Sequence, residues 1–129
     1  MSALGTAARY ALGGIRIATG TVGLVAPAMI MSRFGETDPR SNPAATYGLR
    51  LFGIRTVLIG ADLIRLRGAA LDHAVRSAPI IHASDTGTVL ALRASKQLSP
   101  ELARPLLLIS GINTLLAVLA FLTGRRSRR

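Results

Sequence analysis

Several ionisable residues interrupt otherwise apolar stretches of this sequence, and three of them could form one site: Arg55, His82 and Asp85. A histidine held by a carboxylate can exchange a proton near neutral pH, and an arginine can hold an anion. His82 and Asp85 are three residues apart, so a helix would present both on one face. These residue types predict a proton or ligand site, and the alternative is a set of buried polar contacts that fixes which helices pair.

The same residues do not indicate a metal site or a hydrolytic triad. The chain has two histidines and no cysteine, and no third ligand is placed near either histidine. Ser84 stands between His82 and Asp85 in the run HASD, but residues within one helical turn do not adopt the geometry of a catalytic triad. We therefore expect no metal, no cofactor and no catalytic residue here, and the leading interpretation of the chain is non-enzymatic.

The last apolar stretch indicates the environment of the chain. Residues 105–124 carry no charge, are flanked by Arg104 and Arg125, and are long enough to cross a hydrocarbon core about 30 Å thick. Half of all residues are hydrophobic but only 4% are aromatic, a composition that suits helices packed through glycine and alanine in lipid. This stretch predicts a membrane protein.

Three further stretches have the length of a membrane span although they contain charges. The 129-residue chain is therefore predicted to be one all-α domain, an integral membrane four-helix bundle with short loops and a basic C-terminal tail. The alternative is an amphipathic helical bundle with only the last segment inserted, because the two central segments are weakly apolar. The helices are predicted at about 8–32, 44–66, 69–93 and 104–124.

The net charge of +10 is spread over the ends of the apolar stretches and the terminal run RRSRR, without aromatic residues between the charges. That distribution favours anionic lipid headgroups over nucleic acid as the partner. Of the 16 basic residues 15 are arginine, a bias typical of GC-rich genomes such as those of actinobacteria. The balance of charge across four spans predicts a multi-pass protein of the cytoplasmic membrane with both termini cytoplasmic. The residues expected to anchor the tail on lipid are Arg125, Arg126, Arg128 and Arg129.

A hairpin between the second and third segments would turn near Gly68 and place residues whose numbers sum to about 137 at the same depth. Asp62 then lies level with Arg76, and we predict a structural ion pair between them near the cytoplasmic surface. Arg16 in the first segment is expected to point into the bundle and reach Asp62, or to extend towards the membrane surface.

In the same hairpin Arg55 lies level with His82 and one turn from Asp85. An unpaired arginine at the centre of a bilayer costs about 3 kcal/mol or more, so the three side chains are expected to face one another in the bundle interior. Arg55, His82 and Asp85 are therefore the candidate ligand or proton site.

Small residues recur at helical spacing in several segments. Lipid tails are as apolar as leucine, so membrane helices associate through close backbone contact and interhelical hydrogen bonds. Asn113 in the fourth segment can supply such a hydrogen bond. The residues assigned to helix packing are Gly13, Gly20, Gly53, Gly60, Ser110 and Thr114.

Two stretches carry a resemblance to known proteins: RLFGIRTVLIGADLIR at 50–65 and HASDTGTVLAL at 82–92. They are similar to segments of uncharacterised bacterial four-helix membrane proteins that are DoxX-like in architecture. The resemblance covers about half of the chain and implies a four-helix bundle with a polar hairpin. It implies no reaction.

Three functions are compatible with this architecture. The leading interpretation is a small non-enzymatic accessory subunit that packs against and stabilises a larger envelope complex, such as one for lipid transport or respiration, because small-residue faces and a basic tail suit lateral docking and lipid contact. The alternative is a small transporter or ligand-binding bundle that uses Arg55, His82 and Asp85. The third is a membrane enzyme acting on a lipid or a quinone.

Overall fold

The computed structural model of the protein describes residues 1–126, with the side chains of residues 1–124. This part of the chain is helical and contains no strand, so the all-α prediction is confirmed. Four helices are long, at 23 to 27 residues each. In chain order the elements are α1 (Ala3–Val25), α2 (Pro27–Arg33), a 3₁₀ helix (Pro39–Ser41), α3 (Pro43–Arg65), α4 (Gly68–Ala94) and α5 (Pro100–Arg126).

The first predicted helix is divided into two at Ala26. Pro27 has no backbone N–H and restricts the preceding residue, and Ala26 accordingly leaves the helical region with φ −135° and ψ 53°. Pro27 then occupies the first turn of α2, where a missing N–H is tolerated. The two helix axes differ by 95°, so α2 lies across the end of α1 rather than extending it.

Local sequence signals set the ends of α3 and α4. Asn42 caps α3, because its side-chain oxygen accepts a hydrogen bond from the backbone N–H of Ala45 at 3.1 Å. Gly68 adopts a positive φ of 58° immediately after α3 and permits the short connection into α4. The predicted turn near Gly68 is therefore present, although the two helices that it joins make few contacts with each other.

The closest packing is between α1 and α3, which meet through glycines. A Cβ added at Gly20 would lie 2.7 Å from the backbone oxygen of Gly53, and one added at Gly60 would lie 2.6 Å from that of Gly13. Larger residues at these positions would separate the helices. All four glycines assigned to helix packing lie at this interface.

The long helices do not pack simply in the order of the sequence. α1 packs on α3 and α5, and α4 packs mainly on α5. The shared core consists of small and aliphatic side chains from α1, α3, α4 and α5: Ala8, Leu12, Leu63, Val75, Ala78, Ala117 and Ala120. The order of packing, α3 then α1 then α5 then α4, leaves α3 and α4 with outer faces that the described chain does not cover.

Polar side chains are buried beside the apolar core, and large aliphatic side chains are exposed to the outside. Several polar side chains are buried in the interior: Arg9, Arg16, Thr56, His82, Ser110 and Asn113. Large aliphatic side chains cover the outside of α5, with exposed fractions from 38% to 67%: Leu108, Ile109, Ile112, Leu115, Leu119 and Leu122.

One helix of the described chain is long and apolar enough to cross a membrane, Pro100–Gly124, with a mean hydropathy of 2.2 over its most apolar 18 residues. Only 22% of those residues are buried, which distinguishes it from the core helix of a soluble protein. α1 and α2 pass the same criterion only together, as a bent pair. Length and composition therefore support membrane association through one helix, or two if the bent pair forms one span.

Candidate polar site in the bundle interior

An ion pair links α1 to α4 inside the bundle. Arg16 Nη1 donates a hydrogen bond to Asp85 Oδ2 at 3.1 Å. The Arg16 side chain is 6% exposed and the Asp85 side chain is 35% exposed, so the cation is enclosed and the carboxylate is partly open. Arg16 reaches this position because it lies between Gly13 and Gly20 on the buried face of α1.

His82 lies one turn before Asp85 on α4 and is fully buried, at 0% exposure. Its Nδ1 is 3.7 Å from Asp85 Oδ2, which is too long for a good hydrogen bond but close enough for electrostatic attraction when the imidazole is protonated. Neither ring nitrogen has a hydrogen-bond partner among the described residues. A buried polar group without a partner costs about 1–3 kcal/mol, so this imidazole is an unsatisfied group in the interior.

The guanidinium of Arg16 also contacts α3. It lies 5.8 Å from the ring centroid of Phe52, within the range of a cation–π interaction. Arg16 therefore connects three helices: it extends from α1, bonds Asp85 on α4 and lies over Phe52 on α3.

A second polar contact joins α4 to α5. The hydroxyls of Thr86 and Thr114 are 3.1 Å apart, and either can be the donor. The Thr114 hydroxyl also lies 2.8 Å from the carbonyl oxygen of Ser110, to which it can donate within α5. Asn113 is 3% exposed and its Oδ1 has no partner among the described residues. Ser110 and Thr114, both assigned to helix packing, thus lie on the side of α5 that faces the bundle.

The predicted pairing of Arg55 with His82 or Asp85 is wrong. Arg55 is exposed, and the arginine that contacts Asp85 is Arg16. The physical reason is that α3 packs on α1 through Gly53, and Arg55 follows Gly53 by two residues, about 200° around the helix. The buried face of α3 therefore excludes Arg55.

The predicted ion pair between Asp62 and Arg76 is also wrong. Asp62 pairs with Arg65 one turn away on the same helix, at 3.3 Å, and the Asp62 and Arg65 side chains are 41% and 68% exposed. Arg76 is exposed on α4. Because α3 and α4 make few contacts, residues at equal depth on the two helices do not meet. The expected contact of Arg16 with Asp62 is replaced by its contact with Asp85.

Arg9 is a buried arginine that the sequence reasoning did not single out. It is 6% exposed, and its Nε and Nη1 have no partner among the described residues. Its guanidinium lies 4.4 Å from the ring centroid of Tyr10. The signal was present in the sequence, because Arg9 precedes Arg16 by seven residues, or two helical turns, and shares its face.

The described residues offer no cluster of three His, Cys, Asp or Glu side chains able to hold a metal ion. The lipid-anchoring prediction for the tail lies outside the described side chains, since Arg128 and Arg129 are not described and Arg125 and Arg126 are described only in backbone. The interior site therefore consists of an enclosed cation, an unsatisfied imidazole and a partly open carboxylate. Such a set can hold an anion, exchange a proton or fix the register of the helices.

Compared with known proteins, the chain matches no protein-family model, no curated protein and no solved structure. The resemblance to DoxX-like membrane proteins therefore stays a prediction from the two sequence stretches that suggested it.

Proposed function

We propose that this chain is a small non-enzymatic accessory subunit of the cytoplasmic membrane, a multi-pass bundle that docks through α3 and α4 against a larger envelope protein. The observation that carries the proposal is the position of Arg55. It is residue 13 of the 23 in α3, near the middle of the helix, and it is exposed. No ion pair or hydrogen bond of its side chain occurs among the side chains of residues 1–124.

The neighbours of Arg55 make this exposure unfavourable in lipid. Ile54 and Leu58, on the same outer side of α3, are 39% and 50% exposed. If α3 spans the membrane, Arg55 lies at the depth of the hydrocarbon core, where an arginine costs about 2.5–3.5 kcal/mol. A partner that covers this face and offers a carboxylate or carbonyl removes that cost. Exposed Arg50 on the same helix adds a second charge to be covered.

The outer face of α4 suits close helix packing. Ala83, Gly87 and Ala91 are exposed at intervals of four residues, and a Cβ added at Gly87 meets nothing within 4 Å. Small residues let a partner helix approach closely. α5, by contrast, presents large aliphatic side chains typical of a lipid-facing surface. In this proposal lipid contacts the α5 side, and a partner covers the α3 and α4 side, where Ile80 and Leu90 are also exposed.

The orientation in this proposal follows the distribution of arginines, with both termini in the cytoplasm and the basic tail on anionic headgroups. The absence of cysteine from the chain gives a direct test, because each introduced cysteine is unique. Thr37→Cys and Lys96→Cys, in the two connections opposite the termini, should react with an impermeant maleimide on intact spheroplasts, whereas Ser2→Cys should react only after permeabilisation. Labelling of all three in intact cells would contradict the orientation.

Purification of the tagged chain from its own membranes in mild detergent tests the docking itself. The wild-type protein should carry a larger membrane protein at a fixed stoichiometry, and Arg55→Glu should release it because the charge at the interface is reversed. Arg65→Gln is the matched control, since Arg65 lies at the end of the same helix and already pairs with Asp62. Recovery of the wild type only as a free monomer or homodimer would refute the docking proposal.

A second candidate function is a ligand-binding or transport bundle, and it is favoured by the unsatisfied buried groups. His82 has two free ring nitrogens and Arg9 has two free guanidinium nitrogens, all in the interior. Arg16 is paired with Asp85, whereas Nε and Nη1 of Arg9 have no hydrogen-bond partner among the described residues. A bound anion would supply acceptors for these donors. Anion binding or flux in proteoliposomes that is unchanged by His82→Ala and by Arg9→Gln would remove this candidate.

A further inference from the structure

A cavity of about 580 Å³ lies where α2 passes the beginning of α5, and it is called here the α2–α5 cavity. Its volume is within the range of about 300–1,000 Å³ of ligand sites in proteins. Its walls are mostly apolar, with Val22 from α1, Met29 and Ile30 from α2, and Leu102 and Leu106 from α5. The interior polar site contributes no residue to it.

Two opposite charges line the α2–α5 cavity. Arg33 comes from the last turn of α2 and Glu101 from the first turn of α5, and both are exposed. They do not form an ion pair with each other or with any other residue of the described chain. A cation and a carboxylate on one cavity without mutual contact can bind the two ends of a zwitterion between them.

The position of the cavity matches the depth of lipid headgroups. α2 is bent by 95° from α1, so it lies across the end of the bundle. With α1 and α5 crossing the membrane, that end lies at the boundary between headgroups and acyl chains, where amphipathic segments reside. The apolar walls then face acyl chains and the two charges face headgroups.

We propose that the α2–α5 cavity binds one glycerophospholipid with a primary amine in its headgroup. Arg33 holds the phosphate, Glu101 accepts hydrogen bonds from the ammonium, and one acyl chain lies on the apolar walls. This assignment rests on the membrane location in the proposed function but not on docking through α3 and α4. A quaternary ammonium cannot donate a hydrogen bond to Glu101, and a glycerol headgroup has no cation for it.

The test uses the full-length protein, delipidated in detergent and titrated with phosphatidylethanolamine, phosphatidylcholine or phosphatidylglycerol of identical acyl chains, with bound lipid counted by native mass spectrometry. One phosphatidylethanolamine should bind per chain, about tenfold more tightly than phosphatidylcholine, as expected for a charge-assisted hydrogen bond. Glu101→Gln should abolish the preference for the amine, and Arg33→Gln should weaken binding of all three lipids.

Arg104→Gln is the matched control, because Arg104 is exposed one turn from Glu101 but does not line the cavity. It should leave the preference intact. Equal binding of the three lipids by the wild type, or an amine preference that survives Glu101→Gln, would overturn the assignment. Circular dichroism of each variant establishes that the helices are retained. Loss of partner docking on the α3 side would leave the lipid result unchanged, so the two proposals fail separately.

Discussion

Removal of the Asp85 carboxylate tests the interior polar site most sharply. Asp85→Asn preserves the shape of the side chain but leaves Arg16, which is 6% exposed, without its anionic partner. The guanidinium then keeps its charge inside the bundle, next to the buried imidazole of His82. The variant therefore isolates the cost of an uncompensated buried charge.

The expected magnitude follows from the burial of the two partners. Breaking a fully buried ion pair costs about 3–5 kcal/mol, and the 35% exposure of Asp85 lowers this to about 2–3 kcal/mol. The double variant Arg16→Met/Asp85→Asn removes the charge as well, and the methionine can still pack on Phe52. It should lie within about 1 kcal/mol of the wild type.

The assay is the free energy of unfolding in detergent micelles as the fraction of SDS is raised, followed by circular dichroism. Asp62→Asn is the control, because its pair with Arg65 is exposed and should contribute less than about 1 kcal/mol. Two results would refute the coupling between Arg16 and Asp85. One is an Asp85→Asn variant as stable as the wild type. The other is a double variant whose loss of unfolding free energy equals the sum of the losses in Arg16→Met and Asp85→Asn.

Three further predictions concern packing and the outer surface. Gly53→Ala places a Cβ 2.6 Å from a backbone oxygen of α1 and should destabilise the bundle by about 1–3 kcal/mol, whereas Gly14→Ala, with nothing within 4 Å, should be neutral or stabilising in the same unfolding assay. Thr114→Val should cost about 1 kcal/mol through loss of the contact with α4, and Thr88→Val, whose exposed hydroxyl bonds only its own helix, should cost less in thermal unfolding. Leu115→Arg should reduce membrane insertion by about 2.5–3.5 kcal/mol in a glycosylation-mapping assay, and insertion equal to that of the wild type would contradict a lipid-facing α5.

The helices were largely predictable because long apolar stretches bounded by proline, asparagine and glycine mark their extent. α3 and α4 begin and end close to the predicted bounds of 44–66 and 69–93. The break at Ala26 was visible in principle, since Pro27 removes one backbone donor and restricts the residue before it. The residues on both sides of Ala26 are apolar, so the composition alone predicted one continuous helix.

The partners of the charged residues were not predictable from depth alone. Matching residues along the α3–α4 hairpin assumed that neighbours in sequence are neighbours in space. The stronger constraint was the glycine spacing: Gly13 and Gly20 are seven residues apart, as are Gly53 and Gly60, and these two faces pack on each other. That contact assigns α3 to α1, turns Arg55 outwards and leaves Arg16 to meet α4.

Site-specific photocrosslinking in living cells tests the accessory-subunit proposal most directly. A benzoylphenylalanine at Leu58, which is 50% exposed on α3, should form an adduct with one larger membrane protein, and that adduct should disappear when Arg55→Glu is added. The same probe at Leu115, which is 67% exposed on α5, should form no protein adduct because that face contacts lipid. Adducts at Leu58 only with a second copy of the chain, or identical adducts at both positions, would contradict the proposal.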